Sequence, residues 1–400
     1  MKAIELLHRK LLAACPDVHA IRLEALMASV TSTITGHQLT VTALGRNLKA
    51  HSKTDTKHDI KRMDRLVGNP HLYAERNAFY RYLLTQLVGQ QKHPILMADW
   101  SPVPGNELFQ LHRLSIPMGG RTLTVYEQCF EEKQLNNTQG HNTFLDEVAG
   151  LLPDGCHPII LSDAIYKTPW FDAIEAKGWY WVGRVRGNVQ ISVNGERFTG
   201  CNTVMKQATG KPKGLGEVLY SKKTKFPCQG VLYRGKAKGT HRKKKRGGIS
   251  QDTRSLYYAR KAKEAWLLVS HLPDAYNTPK KVVKLYRKRM QIEEGFRDTK
   301  NQQYGIGLAQ AKSRSTERYN NLLLIAALAL FLLWCIGQVA VQQKYHHRLQ
   351  ANTVRHKTVL SNIYLAMQII NDQRYEIDLI YFRHIFENID KFTQKIDDDD

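Results

Sequence analysis

The sequence predicts an α/β protein that carries a strand-rich basic insertion and is flanked by helical regions at both ends. Four observations carry this. Short apolar runs recur between about Lys92 and Val189, at Ile95–Ala98, Thr122–Tyr126, Ile159–Ser162 and Trp179–Val185. A helical pattern, Asn142–Pro153, lies between the second run and the third, the alternation expected of an α/β core. From Gln190 to about Ala262 the character changes, and short β-like pieces (Gly216–Tyr220, Val231–Tyr233, Ser255–Tyr258) alternate with glycine and lysine. Before Tyr80 and after Pro279 the apolar periodicity is helical.

A chain of 400 residues is too long for one simple core. Five segments are expected: helical 1–85, a first core part 86–189, the basic insertion 190–262, a second core part 263–320, and helical 321–400. With 42% hydrophobic and 24% charged residues the composition is globular rather than disordered. The formal charge of +23 points to a polyanion, most often nucleic acid. The insertion concentrates it: thirteen basic residues and one acidic lie between Lys211 and Gly247, densest in "HRKKKRGG" at 241–248. The six cysteines are scattered with no C-x-x-C pair, which argues against a disulfide framework or a structural zinc site and fits a reducing cytoplasm. No export signal is read in the first residues, where His8, Arg9 and Lys10 interrupt the apolar run. "LLLIAALALFLLWCIGQVAV" (322–341) is long and apolar enough to span a bilayer. It contains Gln338, has no companion span, and is read as a helix buried on all sides, not as a membrane segment.

Near the N-terminus, "LTVTALGRNL" (39–48) precedes "KHDIKRMDRLVGNP" (57–70). In the second, Ile60, Met63, Leu66 and Val67 fall at helical spacing, with Lys57, Lys61, Arg62 and Arg65 opposite, and Gly68-Asn69-Pro70 as a stop. Two short helices with a basic second one suit a helix-turn-helix reader of DNA, or a solvated basic face.

Two near-identical runs, "HPILMAD" (93–99) and "HPIILSD" (157–163), each end a buried strand in a carboxylate. An isolated buried charge is heavily penalised, so two such strands suggest that Asp99 and Asp163 share a site. Two close carboxylates need a proton or cation between them, and oxygen donors select a hard ion such as Mg²⁺ or Mn²⁺. A third acid is offered by "LYRKRMQIEEGFRDTK" (285–300), read as part of one long helix from Pro279. Tyr286, Arg289, Glu293 and Lys300 then share an arc of roughly 60°, with Glu293 as the third acid and the cations for phosphate oxygens. Glu294 would face elsewhere.

The spacing Tyr286, two residues, Arg289, three residues, Glu293, six residues, Lys300 resembles the signature of the bacterial insertion-sequence DDE transposases that cut and paste. "KRMQIEEGFRD" is similar to members flanking composite tetracycline- and kanamycin-resistance transposons, most closely the tetracycline type. The likeness extends through "LGRNL", "HDIKRMDRLVGN", the two aspartate motifs, "GWYWVGRVRG" and "LQANTVRHKTVLS". It implies an RNase H-like core with Asp99, Asp163 and Glu293 as catalytic and metal-binding acids, two metal ions, and a β-rich insertion between the second acid and the third. It also implies hairpin intermediates on double-stranded DNA and a homodimer that holds two transposon ends. By position, Trp266 is expected to stack a flipped base and Arg184 to contact DNA near the site. The alternatives are an RNase H-like nuclease without strand transfer, or a non-catalytic DNA-binding regulator.

Overall fold

The computed structural model describes residues 2–48, 54–235 and 248–395, apart from 254, 257, 258, 260–263, 352, 355 and 356. The dense basic run at 241–247 and half of the expected strand 255–258 therefore lie outside the described residues. Ser255 and Leu256 are described, and they are helical rather than extended. The chain divides into two compact units, Met1–Cys156 with Met290–Lys395, and His157–Arg289.

The first unit opens with five helices, α1 (Lys2–Ala14), α2 (Ala20–Gly36), α3 (Val41–Asn47), α4 (Thr56–Val67) and α5 (Pro70–Val88). Local chemistry fixes the ends. Gly68 follows the last residue of α4, and Asn69 caps α5 by accepting from the His71 and Leu72 N–H groups, with Pro70 at the first helical position. On α4, Met63, Leu66 and Val67 are buried and Ile60 is half-buried, whereas Lys57, Lys61, Arg62 and Arg65 are exposed. Gly45 lets α3 press against α4, since a Cβ there would run into the Ile60 backbone. Next comes an antiparallel meander of β1 (Ile95–Pro102), β2 (Phe109–Pro117) and β3 (Thr122–Glu131), and then α6 (Thr138–Leu151).

The second unit holds β4 (Ile159–Ser162), α7 (Thr168–Glu175), β5 (Tyr180–Val185), β6 (Gln190–Val193), β7 (Thr199–Gly200), α8 (Cys201–Met205), β8 (Lys213–Tyr220), β9 (Phe226–Tyr233), β10 (Trp266–His271) and α9 (Pro279–Lys288). β4 and β5 are parallel across the α7 crossover. β10 pairs antiparallel with β5 on one side and with β9 on the other, and β9 leads on to β8, β6 and β7. The insertion therefore extends the sheet of its unit.

The chain returns to the first unit with α10 (Gln291–Lys300), α11 (Thr316–Gln342), α12 (His346–Leu349), α13 (Asn362–Ile369) and α14 (Leu379–Glu387). The single long helix expected from Pro279 to Lys300 is broken. At the joint the Arg289 N–H bonds the Tyr286 carbonyl three residues back at 3.2 Å, a tighter turn than the α ladder, and α10 starts after Met290. The four signature residues are therefore carried by two helices rather than one. What remains are two shorter spacings, Tyr286 to Arg289 at the end of α9 and Glu293 to Lys300 within α10.

The apolar run at 322–341 is the body of α11, and 94% of its most apolar window is buried by protein. Helices α2, α5, α13 and α14 and strand β3 all pack on it. A helix covered from every side needs no polar face, which explains a composition that could equally cross a bilayer. All six cysteines are buried and unpaired.

Candidate active site

In the first unit Asp99 lies on β1 between buried Ala98 and Trp100 and is itself half-buried. Its Oδ1 accepts the Trp100 N–H at 2.9 Å. The Trp100 ring is stacked 4.2 Å from His112, and its Nε1 donates to His141 Nε2 at 3.2 Å, which fixes the strand beside the carboxylate. Antiparallel register places Arg113 of β2 opposite Asp99, and Glu127 of β3 opposite Arg113. Residues directly opposite share a sheet face, so acid, base and acid form a row across three strands.

Helix α10 packs over this meander. Gly295 permits the approach, because a Cβ there would strike the Thr122 hydroxyl. The Arg113 guanidinium donates to Glu127 Oε2 at 2.8 Å and to Thr299 Oγ1 of α10 at 2.9 Å, and lies 4.5 Å from the Phe296 ring centre. Lys300 Nζ donates to Ser101 Oγ and to the Pro102 carbonyl, both at 2.6 Å. Burial, reinforced by the Arg113 charge, pushes the Lys300 ammonium down to about 7 against the opposing pull of Glu127 and Asp99. Glu293 lies seven residues before Lys300, on the same side of α10 at about 100° per residue, and is exposed. Glu294 forms ion pairs with Arg121 and Arg297.

In the second unit Asp163 directly follows β4, and its Oδ1 accepts the Ile165 N–H at 2.8 Å. Tyr286 is buried and neighbours Asp163, Arg184, Trp266 and Arg289. Burial raises its phenol pKa. Asp163 raises it further, while the Arg289 and Arg184 charges and a hydrogen bond with Arg289 oppose the rise. The half-buried Trp266 ring meets Tyr286 edge-on at 5.1 Å and Tyr233 at 5.8 Å. Arg184 pairs with Glu264 at 3.2 Å, and Glu264 also binds Arg186.

The predicted residues thus form two sets. Asp99 and Lys300 interact in the first unit, where Glu293 shares the Lys300 helix. Asp163, Arg184, Trp266, Tyr286 and Arg289 surround one another in the second. Lys57, Lys61, Arg62 and Arg65 stand apart on α4, with Lys57 3.8 Å from Asp55. Among the described residues no three His, Cys, Asp or Glu side chains are grouped as a metal site. Arg113 and Glu127 are not among the residues expected from the sequence. Their signal was a charge inside each of two otherwise strand-like runs, "FQLHRLSIP" and "TLTVYEQCFE".

A family model described as the transposase DDE domain matches residues 90–332, more than half of the chain. Comparison with curated proteins gives no match. The matched span takes in Asp99, Asp163 and Glu293 together with Tyr286, Arg289 and Lys300. The chain therefore belongs to the transposase DDE-domain family.

Proposed function

We propose that this transposase excises its insertion sequence by cleaving phosphodiesters at the inverted ends through hairpin intermediates, and then joins the freed 3′ ends to target DNA. Asp99, Asp163 and Glu293 are the catalytic acids on an RNase H-like core, and a homodimer holds the two ends. One observation carries the reading beyond family membership. A half-buried carboxylate on a core strand, Asp99, acts on the half-buried ammonium of Lys300, and Lys300 shares a helix face with the exposed Glu293.

The three acids offer only oxygen donors, the chemistry that Mg²⁺ or Mn²⁺ accepts, and they are the residues that would hold two such ions. Bound divalent ions supply activation of water and stabilisation of a leaving oxygen. The other roles fall to the chain's own side chains. The Trp100 and Ile165 N–H groups each hold one oxygen of Asp99 and Asp163, which orients the carboxylates. Arg289, Arg184 and Lys300 hold phosphate oxygens, and Tyr286 supports the two arginines. Positioning and charge stabilisation of this kind carry most phosphoryl-transfer chemistry. Trp266 stacks a base unpaired in the hairpin. The exposed cations of α4, within residues 1–85, contact the end sequence.

Each step is an in-line phosphoryl transfer, so one set of acids serves all of them. Water frees a 3′-hydroxyl, that hydroxyl attacks the opposite strand, a second water opens the hairpin, and the hydroxyl attacks the target. Incubation with Mg²⁺ and duplex DNA carrying the element's own ends tests this. Hairpins and strand-transfer products support the transposase. Nicks alone indicate a nuclease without strand transfer, and binding without cleavage indicates a regulator.

A further inference from the structure

The first unit contains a groove of about 790 Å³ that none of the catalytic candidates enters. One wall is the start of α3 with Lys61 and Asp64 of α4; the other is the segment 310–314 leading into α11. Four cations line it, Lys61, Lys312, Arg314 and Arg318, against one carboxylate, Asp64. That carboxylate is already neutralised, since the Arg318 guanidinium meets Asp64 Oδ1 at 2.5 Å. Among the described residues no carboxylate pairs with Lys61, Lys312 or Arg314.

The two walls are fixed. Lys312 and Arg314 are exposed and alternate with buried Ala311 and Ser313, so both cations leave the same side of an extended segment. Its inner side is pinned: the Tyr319 hydroxyl donates to the Ala311 carbonyl at 3.0 Å, and Asn106 Nδ2 donates to the Ser313 carbonyl at 3.1 Å. Asn321 Nδ2 bonds the Val67 and Asn69 carbonyls at 2.9 and 3.1 Å, tying α11 to the end of α4. The Arg318–Asp64 pair bridges α11 to α4 as well. The backbone that carries these cations is held in place, so binding need not order the segment itself, which separates this groove from an ordinary solvated basic loop.

We infer that this groove binds the phosphate backbone of duplex DNA, with Lys61, Lys312 and Arg314 each neutralising one phosphate and Arg318 acting as a structural brace. The inference rests on the DNA-acting reading above and adds two contacts, Lys312 and Arg314, more than 240 residues from the α4 cations in sequence. Phosphate contacts position a duplex without reading its sequence. The groove therefore contributes equally to end DNA and unrelated DNA.

The test is fluorescence anisotropy of the full chain with a blunt duplex of unrelated sequence, across a salt series without divalent ions. Each neutralised phosphate contributes about 0.9 to the slope of log K against log salt, so K61A/K312A/R314A should flatten it by about 2.7. K61R/K312R/R314K should restore the slope, and K57A/R62A/R65A should flatten it less than the groove variant. An unchanged slope in the groove variant overturns the proposal. As a measurement that needs no variant, bound duplex should protect Lys61 and Lys312 of the wild-type protein from amine acetylation, and equal labelling with and without DNA also overturns it. Because the readout is binding alone, it stands apart from whether the protein cleaves.

Discussion

Arg113 and Glu127 face each other across β2 and β3 with 1% and 0% of their side chains exposed, a fully buried ion pair joined by a second guanidinium bond to α10. Burial raises the Glu127 pKa, against the opposing charge and hydrogen bond of Arg113. The pair sits in register behind Asp99 and under the helix that carries Glu293 and Lys300. Removing one partner leaves the other charged and uncompensated, so Arg113→Met or Glu127→Leu should each cost about 3–5 kcal/mol. The double variant should recover much of that loss, because the buried charge disappears with its partner. Urea unfolding of the three variants checks the cycle; equal losses in single and double variants would contradict the account.

Lys300 gives a pH signature. Its folded-state pKa lies near 7 against the ordinary 10.5, because it is buried beside Arg113. Below about 7 the group is protonated whether the chain is folded or not, and the cost of burying its charge is full. Between about 7 and 10.5 the unfolded chain binds more protons, so this group makes stability rise with pH. The difference in unfolding free energy between wild type and Lys300→Gln should therefore move in favour of the wild type across that window. Denaturant titrations at several pH values follow it, and a constant difference would show that the ammonium is not held as described.

Trp266 has edge contacts with Tyr233 and Tyr286 but is only half-buried, which leaves part of the ring able to meet a base. Stacking on an aromatic ring is worth about 1–3 kcal/mol per base. Trp266→Ala should slow hairpin formation by roughly tenfold or more while sparing the first nick. Single-turnover assays that separate the two products decide it, and equal slowing of both steps would assign the ring a packing role.

Much of this organisation is legible in the sequence because buried strands announce themselves. "PILMAD" and "PIILSD" have continuous apolar runs, and β1 and β4 begin where those runs begin. β2 is not legible in the sequence, since His112 and Arg113 interrupt its pattern and only tertiary partners make them tolerable inside. The insertion shows its strands in the sequence, but nothing local says that β9 will pair with β10 across the intervening segment. The break after α9 has no proline or glycine to mark it. It comes where two buried cations, Lys288 and Arg289, are followed by the exposed Met290. The acids themselves were found by residue type and spacing, whereas the Arg113–Glu127 pair behind Asp99 required strand register.

The most direct test of the central claim is substitution of each acid in turn. Asp99→Ala, Asp163→Ala and Glu293→Ala should each bind the inverted ends as the wild type does. Each should yield neither nick, hairpin nor strand-transfer product in Mg²⁺ or Mn²⁺. Cleavage at the wild-type rate by any one of the three would show that the chemistry is not carried by these carboxylates.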